Sequence, residues 1–276
     1  MIARRVLPTR RQVTSRKIRY ATPALEKGLD ILELLASVSE ALTHSEIASH
    51  LGRTINEVFR MLVCLEERGY ISRAGPDERY QLTLKLFEIV HYYHPLQRLV
   101  TQARPLVRRV ANDTDQSCHL AMLNNAEVVV VAQFDAPGNM GFAVRLGANV
   151  DLLNTASGHV ILAFQSDEAR AHALGAWRLR SGKLIPAGLY RHLNQIRRRG
   201  YEELASYQIH GVSNISYPVL NQHGEAIAAM TVPFLARIGG SVGPLQVKEA
   251  LSLASRALSL AIGGKRPELS SGVVQA

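Results

Sequence analysis

Residues 43–82 constrain this chain more than any other stretch, because they carry the local signals of a winged helix-turn-helix. The run 43–52 reads as a short helix. Thr43 is placed to cap it, Glu46 three residues on completes a capping box, and Gly52 stops it. A tight turn through Gly52, Arg53 and Thr54 precedes an amphipathic segment from 55 to about 68, in which Val58, Met61, Leu62 and Leu65 form one apolar face. Gly69 ends that segment. Two strand-like runs, 70–73 and 79–82, then flank 74–78 as the strands of a hairpin wing would. Two helices across a tight turn form the arrangement that lays the second helix in a DNA major groove.

The polar residues at the start and on the open side of the second helix are therefore the expected DNA contacts. Arg53 and Thr54 at the turn suit a phosphate. Asn56 and Glu57 suit adenine and cytosine edges, and Arg60 projects from the middle of the helix. Arg73 and Arg79 in the wing are further phosphate candidates. Bulk charge adds less than it first suggests. The net charge is +9, but residues 1–22 hold seven Lys or Arg and no acid, which leaves the remainder close to neutral. Residues 23–90 carry eleven acids against seven bases. The electrostatic footprint is thus expected in the basic arm, 1–22, and in a few placed arginines.

With 276 residues, 47% of them apolar, the chain has material for two domains with separate cores. No apolar run reaches the roughly 18 residues that a membrane span needs, and no apolar stretch follows the basic start as a secretory signal requires. The two cysteines, Cys64 and Cys118, offer neither a disulfide framework nor metal spacing, which fits the cytoplasm.

Before the reading segment, Pro23 opens a helix in which Leu25, Leu29, Leu32 and Ala36 recur at helical spacing. After the wing, helices over 84–93 and 96–112 read as a connector, with Pro105 a point of kinking or restart. From Ser117 the apolar period shortens to about two. Runs 118–123 and 127–134 form a hairpin about 124–126, and 141–145 reads as another strand. Helical segments follow at 156–164, 167–175 and 188–199, strands at 212–219 and 226–234, and a helix at 243–261. The expected fold class is α+β: a winged helix-turn-helix over 23–83, a helical connector over 84–114, an antiparallel-sheet sensor domain over 115–263, and a tail over 264–276.

Four local patterns occur together in order: 24–32 (Ala24 to Leu32), 57–62 with 67–70, 153–158, and Gly200-Tyr201-Glu202 followed by Gly211-Val212 and Tyr217-Pro218-Val219. In these the chain resembles the IclR family of bacterial transcription regulators. The resemblance implies a homodimer or homotetramer with N-terminal winged helices and a GAF-like C-terminal domain. It further implies binding of a small metabolite, often an organic or aromatic acid, to control neighbouring catabolic genes. It also places an arginine on the reading helix, at Arg60.

The residues support an effector site on their own terms. Thr155, Ala156, Ser157 and Gly158 lie where a loop enters a helix, and unpaired N–H groups there favour a carboxylate. Their small side chains let an anion approach the backbone, Gly158 most of all. His159 stands where the family often has lysine. The resemblance implies further ligand contacts after Gly200-Tyr201 and just after Gly211. At those places this chain has Tyr207 and, on the strand from Val212, Asn214, the candidate hydrogen-bonding group, with Phe142 and Tyr207 as candidate walls that suit a larger or aromatic acid.

No catalytic residue or cofactor is expected. Ser157 lacks the preceding glycine of a nucleophile elbow, and there is no phosphate-binding loop or dinucleotide fingerprint. His91 and His94, even with Cys118 and His119, do not complete a metal ligand set. The leading expectation is a ligand-responsive transcription regulator that binds double-stranded DNA at a palindromic operator, with no enzyme activity and no membrane partner. The alternative is a metabolite-binding protein or enzyme whose winged helix serves only for association. The polar set Arg53, Thr54, Asn56 and Arg60 separates the two, since an association module would place apolar residues there.

Overall fold

The computed structural model describes residues 22–265 apart from Pro76, Tyr93, 139–140, 238–239 and Ser241, with only the backbone of His91, His94 and Pro95. The expected arm and tail lie almost wholly outside the described residues, as do the side chains of His91 and His94. The chain forms two compact units that divide at His94 and Pro95.

The first unit holds α1 (Pro23–Ser37), α2 (His44–Leu51), α3 (Ile55–Glu67), β1 (Ile71–Ala74), β2 (Arg79–Leu82) and α4 (Lys85–His91). Proline in the first turn of α1 gives up no helical hydrogen bond. The capping box of α2 forms as its spacing predicts: Thr43 N–H donates to Glu46 Oε2 at 2.7 Å, and Glu46 N–H donates to Thr43 Oγ1 at 3.3 Å. Gly52 then takes φ 61°, the left-handed conformation that turns the chain into α3. β1 and β2 pair antiparallel from Ile71 opposite Leu82 to Ala74 opposite Arg79, and Leu42 bridges to Tyr80 beside them. Ile31, Ile47, Val58, Leu62 and Ile71 are essentially inaccessible and form the centre of the core. Each contributes about 1.5–3 kcal/mol relative to exposure.

The second unit begins with α5 (His94–Thr114). The six strands that follow are β3 (Cys118–Asn124), β4 (Glu127–Phe134), β5 (Asn149–Asp151), β6 (Glu202–Ala205), β7 (Val212–Leu220) and β8 (Ala226–Leu235). They form one antiparallel sheet in the order β5-β4-β3-β8-β7-β6. α6 (Ala156–Ala163), α7 (Asp167–Ser181) and α8 (Leu189–Arg199) build a core on one face, and α5 with α9 (Pro244–Ala261) builds the core on the other.

The edge strands β5 and β6 are not expected from the sequence, and three further features differ from its expectations. The helix assigned to a connector belongs to the second unit: Leu99, Ala103, Val107, Val110 and Ala111 of α5 are buried in the sheet's core. Pro105 neither ends nor restarts it, because Pro105 and Thr101 are both exposed and the carbonyl that loses its N–H partner is on the solvent side. The strand expected at 141–145 is absent. The β4 edge is taken by the next segment, through Gly147 N–H to Val130 O at 2.8 Å and Val130 N–H to Ala148 O at 3.0 Å, with β5 continuing the pairing. Gly147, at φ 76°, makes the turn that this requires.

Candidate functional site

In the first unit, two ion pairs tie α1 to the N-terminal end of α3. Arg53 donates to Asp30 Oδ2 at 2.7 Å, and Lys27 Nζ lies 2.6 Å from Glu57 Oε1. Glu57 also reaches back to the start of its own helix, accepting from Thr54 N–H at 3.1 Å and Thr54 Oγ1 at 2.9 Å. The Lys27 ammonium, then the Thr54 donors, hold its carboxyl down at about 2. Thr54-x-x-Glu57 repeats the Thr43-x-x-Glu46 signature, so the sequence already held a capping reason for a glutamate at 57.

The wing arginines are similarly engaged. Arg73 forks onto Glu66 at 2.9–3.0 Å, reaches Glu78 at 3.3 Å and lies over the Tyr80 ring. Arg79 donates to Ala41 O and Glu46 Oε2, both at 3.0 Å. Of the seven residues expected to contact DNA, Arg53, Glu57, Arg73 and Arg79 thus have charged partners inside the domain, and Thr54 caps α3. Asn56 and Arg60 stand exposed on α3 with no such partner among the described residues, beside an exposed Phe59. Sequence periodicity identified the open face of α3; it gave no sign of Asp30 and Lys27 of α1 reaching Arg53 and Glu57 at its start.

In the second unit, a cavity lies between the sheet and the start of α6. Thr155, Ala156, Ser157, Phe142, Tyr207 and Asn214 line it, whereas Gly158 and Val212 do not. Thr155 is the N-cap: its Oγ1 donates to Asp151 O at 2.7 Å and accepts from Gly158 N–H at 3.2 Å. The Gly158 donor is therefore spent internally. The first-turn N–H groups of Ala156 and Ser157 have no acceptor one helical turn back. Ser117 Oγ donates to Phe142 O and anchors the segment that carries Phe142.

The floor contains residues that the sequence did not point to as part of this cavity. His119 on β3 pairs with Thr231 on β8, and Thr231 with Ser216 on β7, so all three share one face. His119 and Thr231 line the cavity, and Ser216 Oγ and Thr231 Oγ1 are 2.8 Å apart. Burial pushes the His119 imidazole down to about 4, leaving it neutral at pH 7. Period-two polarity at His119, Thr231 and Ser216 was the available signal, and it was masked by the near-continuous apolar character of the strands around it. The free volume is only about 30 Å³, and Tyr207, half exposed, forms part of the rim. No lysine or arginine lines the cavity.

The chain's C-terminal part, residues 91–260, matches the family described as bacterial transcriptional regulator IclR C-terminal, and residues 24–75 match the IclR helix-turn-helix domain. The chain belongs to the IclR family. It is similar to the HTH-type transcriptional regulator BhcR of Paracoccus denitrificans, 30% identical over 213 residues that cover 76% of each chain. It is 29% identical to the HTH-type transcriptional regulator KdgR of Escherichia coli over 217 residues, or 75% of this chain and 80% of that one. The Thermotoga maritima IclR structure covers 87% of this chain and 98% of its own, with a TM-score of 0.67 and 25% identity. An IclR homologue from Microbacterium hydrocarbonoxydans, solved with 4-hydroxybenzoate, shares the fold with a TM-score of 0.70 at 22% identity, covering 87% of this chain and 98% of its own. The chain is thus a DNA-binding transcriptional regulator with a C-terminal ligand-binding domain, and its named relatives are regulators rather than enzymes. No helix among its described residues is long and apolar enough to cross a membrane.

Proposed function

We propose that this regulator reads a palindromic operator as a homodimer through Asn56 and Arg60, and that a small carboxylate bound at the start of α6 changes its grip on DNA. The observation that carries the first half is the exposure of these two side chains on α3 while Arg53, Arg73 and Arg79 are held by acids of their own domain. Arginine reads a guanine edge and asparagine an adenine edge bidentately. Self-association is supported by apolar residues left exposed in the same unit: Leu25 and Leu29 on α1, Leu84 just before α4, and Phe87 and Val90 on it. Two-fold pairing of two such units is mirrored by a palindromic site with half-sites about one helical turn or a multiple apart.

Arg60→Ala is expected to weaken binding to the operator by about 1–3 kcal/mol and binding to random duplex by clearly less. Fluorescence anisotropy on both DNAs, at several salt concentrations, measures this. Equal losses on the two would make Arg60 a phosphate contact, and no loss on either would remove Arg60 from the interface.

For the effector, a cavity without a cationic side chain leaves the carboxylate to the N–H groups of Ala156 and Ser157 and to nearby hydroxyls. Phe142, Val144 and Val150 offer walls for an apolar body, and Asn214 a polar contact. With so little free volume, an acid of aromatic size enters by displacing the Tyr207 rim. Calorimetry with a panel of aliphatic and aromatic acids, on wild type, Ser157→Ala and Asn214→Ala, tests the site. Asn214→Ala is expected to lose about 1–3 kcal/mol of affinity for the ligand that alters DNA binding. Unchanged affinity in both variants would place the ligand elsewhere.

A further inference from the structure

His159 on α6, His192 on α8 and Glu202 on β6 meet behind the effector cavity, each offering a ligand atom within 4.8 Å of the others. The Glu202 side chain is 1% exposed. Its Oε1 accepts from the Arg199 guanidinium and from Glu203 N–H. Its Oε2 lies 2.5 Å from His192 Nε2 and 3.5 Å from His159 Nδ1.

The arrangement of His159 is the informative part. Its Nε2 is 2.9 Å from Leu153 O, and a carbonyl only accepts, so Nε2 carries a proton. In the neutral ring Nδ1 then holds a lone pair. That atom is buried, has no hydrogen-bond partner and faces an anionic oxygen. Lone pair against carboxylate is repulsive unless something positive lies between them. The ring is also oriented as metal-bound histidines usually are, with the second nitrogen donating to a backbone carbonyl.

We infer that His159 Nδ1, His192 Nε2 and Glu202 Oε2 form a site for a zinc-class divalent cation. Two imidazoles and one carboxylate are a donor set of this class, with one coordination position left open. Bonds of about 2.0–2.1 Å in tetrahedral geometry set ligand atoms about 3.3 Å apart. The separations of 2.5 and 3.5 Å bracket that value. His192, whose side chain is 37% exposed, has the freedom to adjust. Arg199 occupies only the other carboxylate oxygen. The three ligands lie 33 and 10 residues apart along the chain, which explains why no local spacing announced them. An ion here would join α6, whose first turn lines the effector cavity, to β6, which leads directly into the Ser206, Tyr207 and Gln208 rim.

The test uses the full-length protein, freed of metal with EDTA and titrated with Co²⁺ while visible absorption is read, then with Zn²⁺ as competitor. One ion per chain is expected, with cobalt bands of tetrahedral character that zinc abolishes. His192→Ala and Glu202→Gln should each weaken binding by at least about tenfold, the loss that even outer-shell partners of a metal can cause. His172→Ala, at an exposed position on α7, should leave it unchanged. Circular dichroism in EDTA checks folding, and His192→Ala, the least buried change, decides if Glu202→Gln fails to fold. Absence of binding at micromolar ion, or wild-type binding by folded His192→Ala, would overturn the site.

Discussion

Alanine at position 158 is expected to destabilise the C-terminal domain by about 3 kcal/mol or more, at or beyond the upper end of ordinary overpacking costs. Gly158 has no unusual φ that would require glycine; the constraint is space. A Cβ there would lie 2.1 Å from Leu152 O, 2.8 Å from its carbonyl carbon and 3.0 Å from its Cα. These are backbone atoms of a fully buried residue, so they cannot rotate aside as a side chain would. All eight residues of α6 are buried, so the helix has no room to retreat. Urea or thermal unfolding of Gly158→Ala measures the effect, with a fall in Tm on the order of 10 °C at about 2–4 °C per kcal/mol for a domain of this size. An unchanged transition would show that the contact relaxes freely. The same geometry corrects the sequence reading of Gly158 as a place for an anion to approach. Its absent side chain makes way for the Leu152 carbonyl, and bulky residues at 158 report on folding rather than on ligand.

Acidification should cost the wild-type protein about 3 kcal/mol that a His119→Gln variant does not lose, since each pKa unit is worth about 1.4 kcal/mol. His119 is 4% exposed, and burial lowers its folded-state value from 6.5 to about 4. Between these values the unfolded chain takes up a proton that the native state refuses. The contribution of neutral His119 is therefore intact above pH 6.5 and is lost progressively as pH falls to about 4. Denaturant titrations of both proteins at intervals from pH 7 to 4 isolate this group from carboxylates such as Glu57, which act equally in both. Parallel pH profiles would mean that His119 is protonated as readily in the native state as in the unfolded chain.

The site residues divide according to how local their causes are. The α6 entry could be read from 155–158 because capping and unpaired N–H groups arise within one turn of helix. Asn214 and Tyr207 line the same cavity because β7 and the turn before it lie beside that entry, and here the family pattern supplied what periodicity alone could not. Glu57 shows the opposite case. A reading helix that starts with polar residues suggests base contacts, and the Thr54–Glu57 cap is local, but the pairing of Glu57 with Lys27 thirty residues earlier is not. Arg53, expected at a phosphate, likewise pairs in the folded domain with Asp30, twenty-three residues earlier.

By itself the sequence determined the winged-helix order, the Thr43–Glu46 cap, the Gly52 turn, the buried face of α3 and the change to a period of two after Ser117. Each depends on interactions within a few residues, which composition and spacing encode directly. The tertiary structure alone decided that α5 is part of the sheet's core, that β4 pairs with 147–151 rather than 141–145, that Gly158 accommodates a carbonyl, and that His159, His192 and Glu202 converge. Those outcomes depend on which surfaces compete for the same neighbour across tens of residues, and only the packed chain resolves that competition.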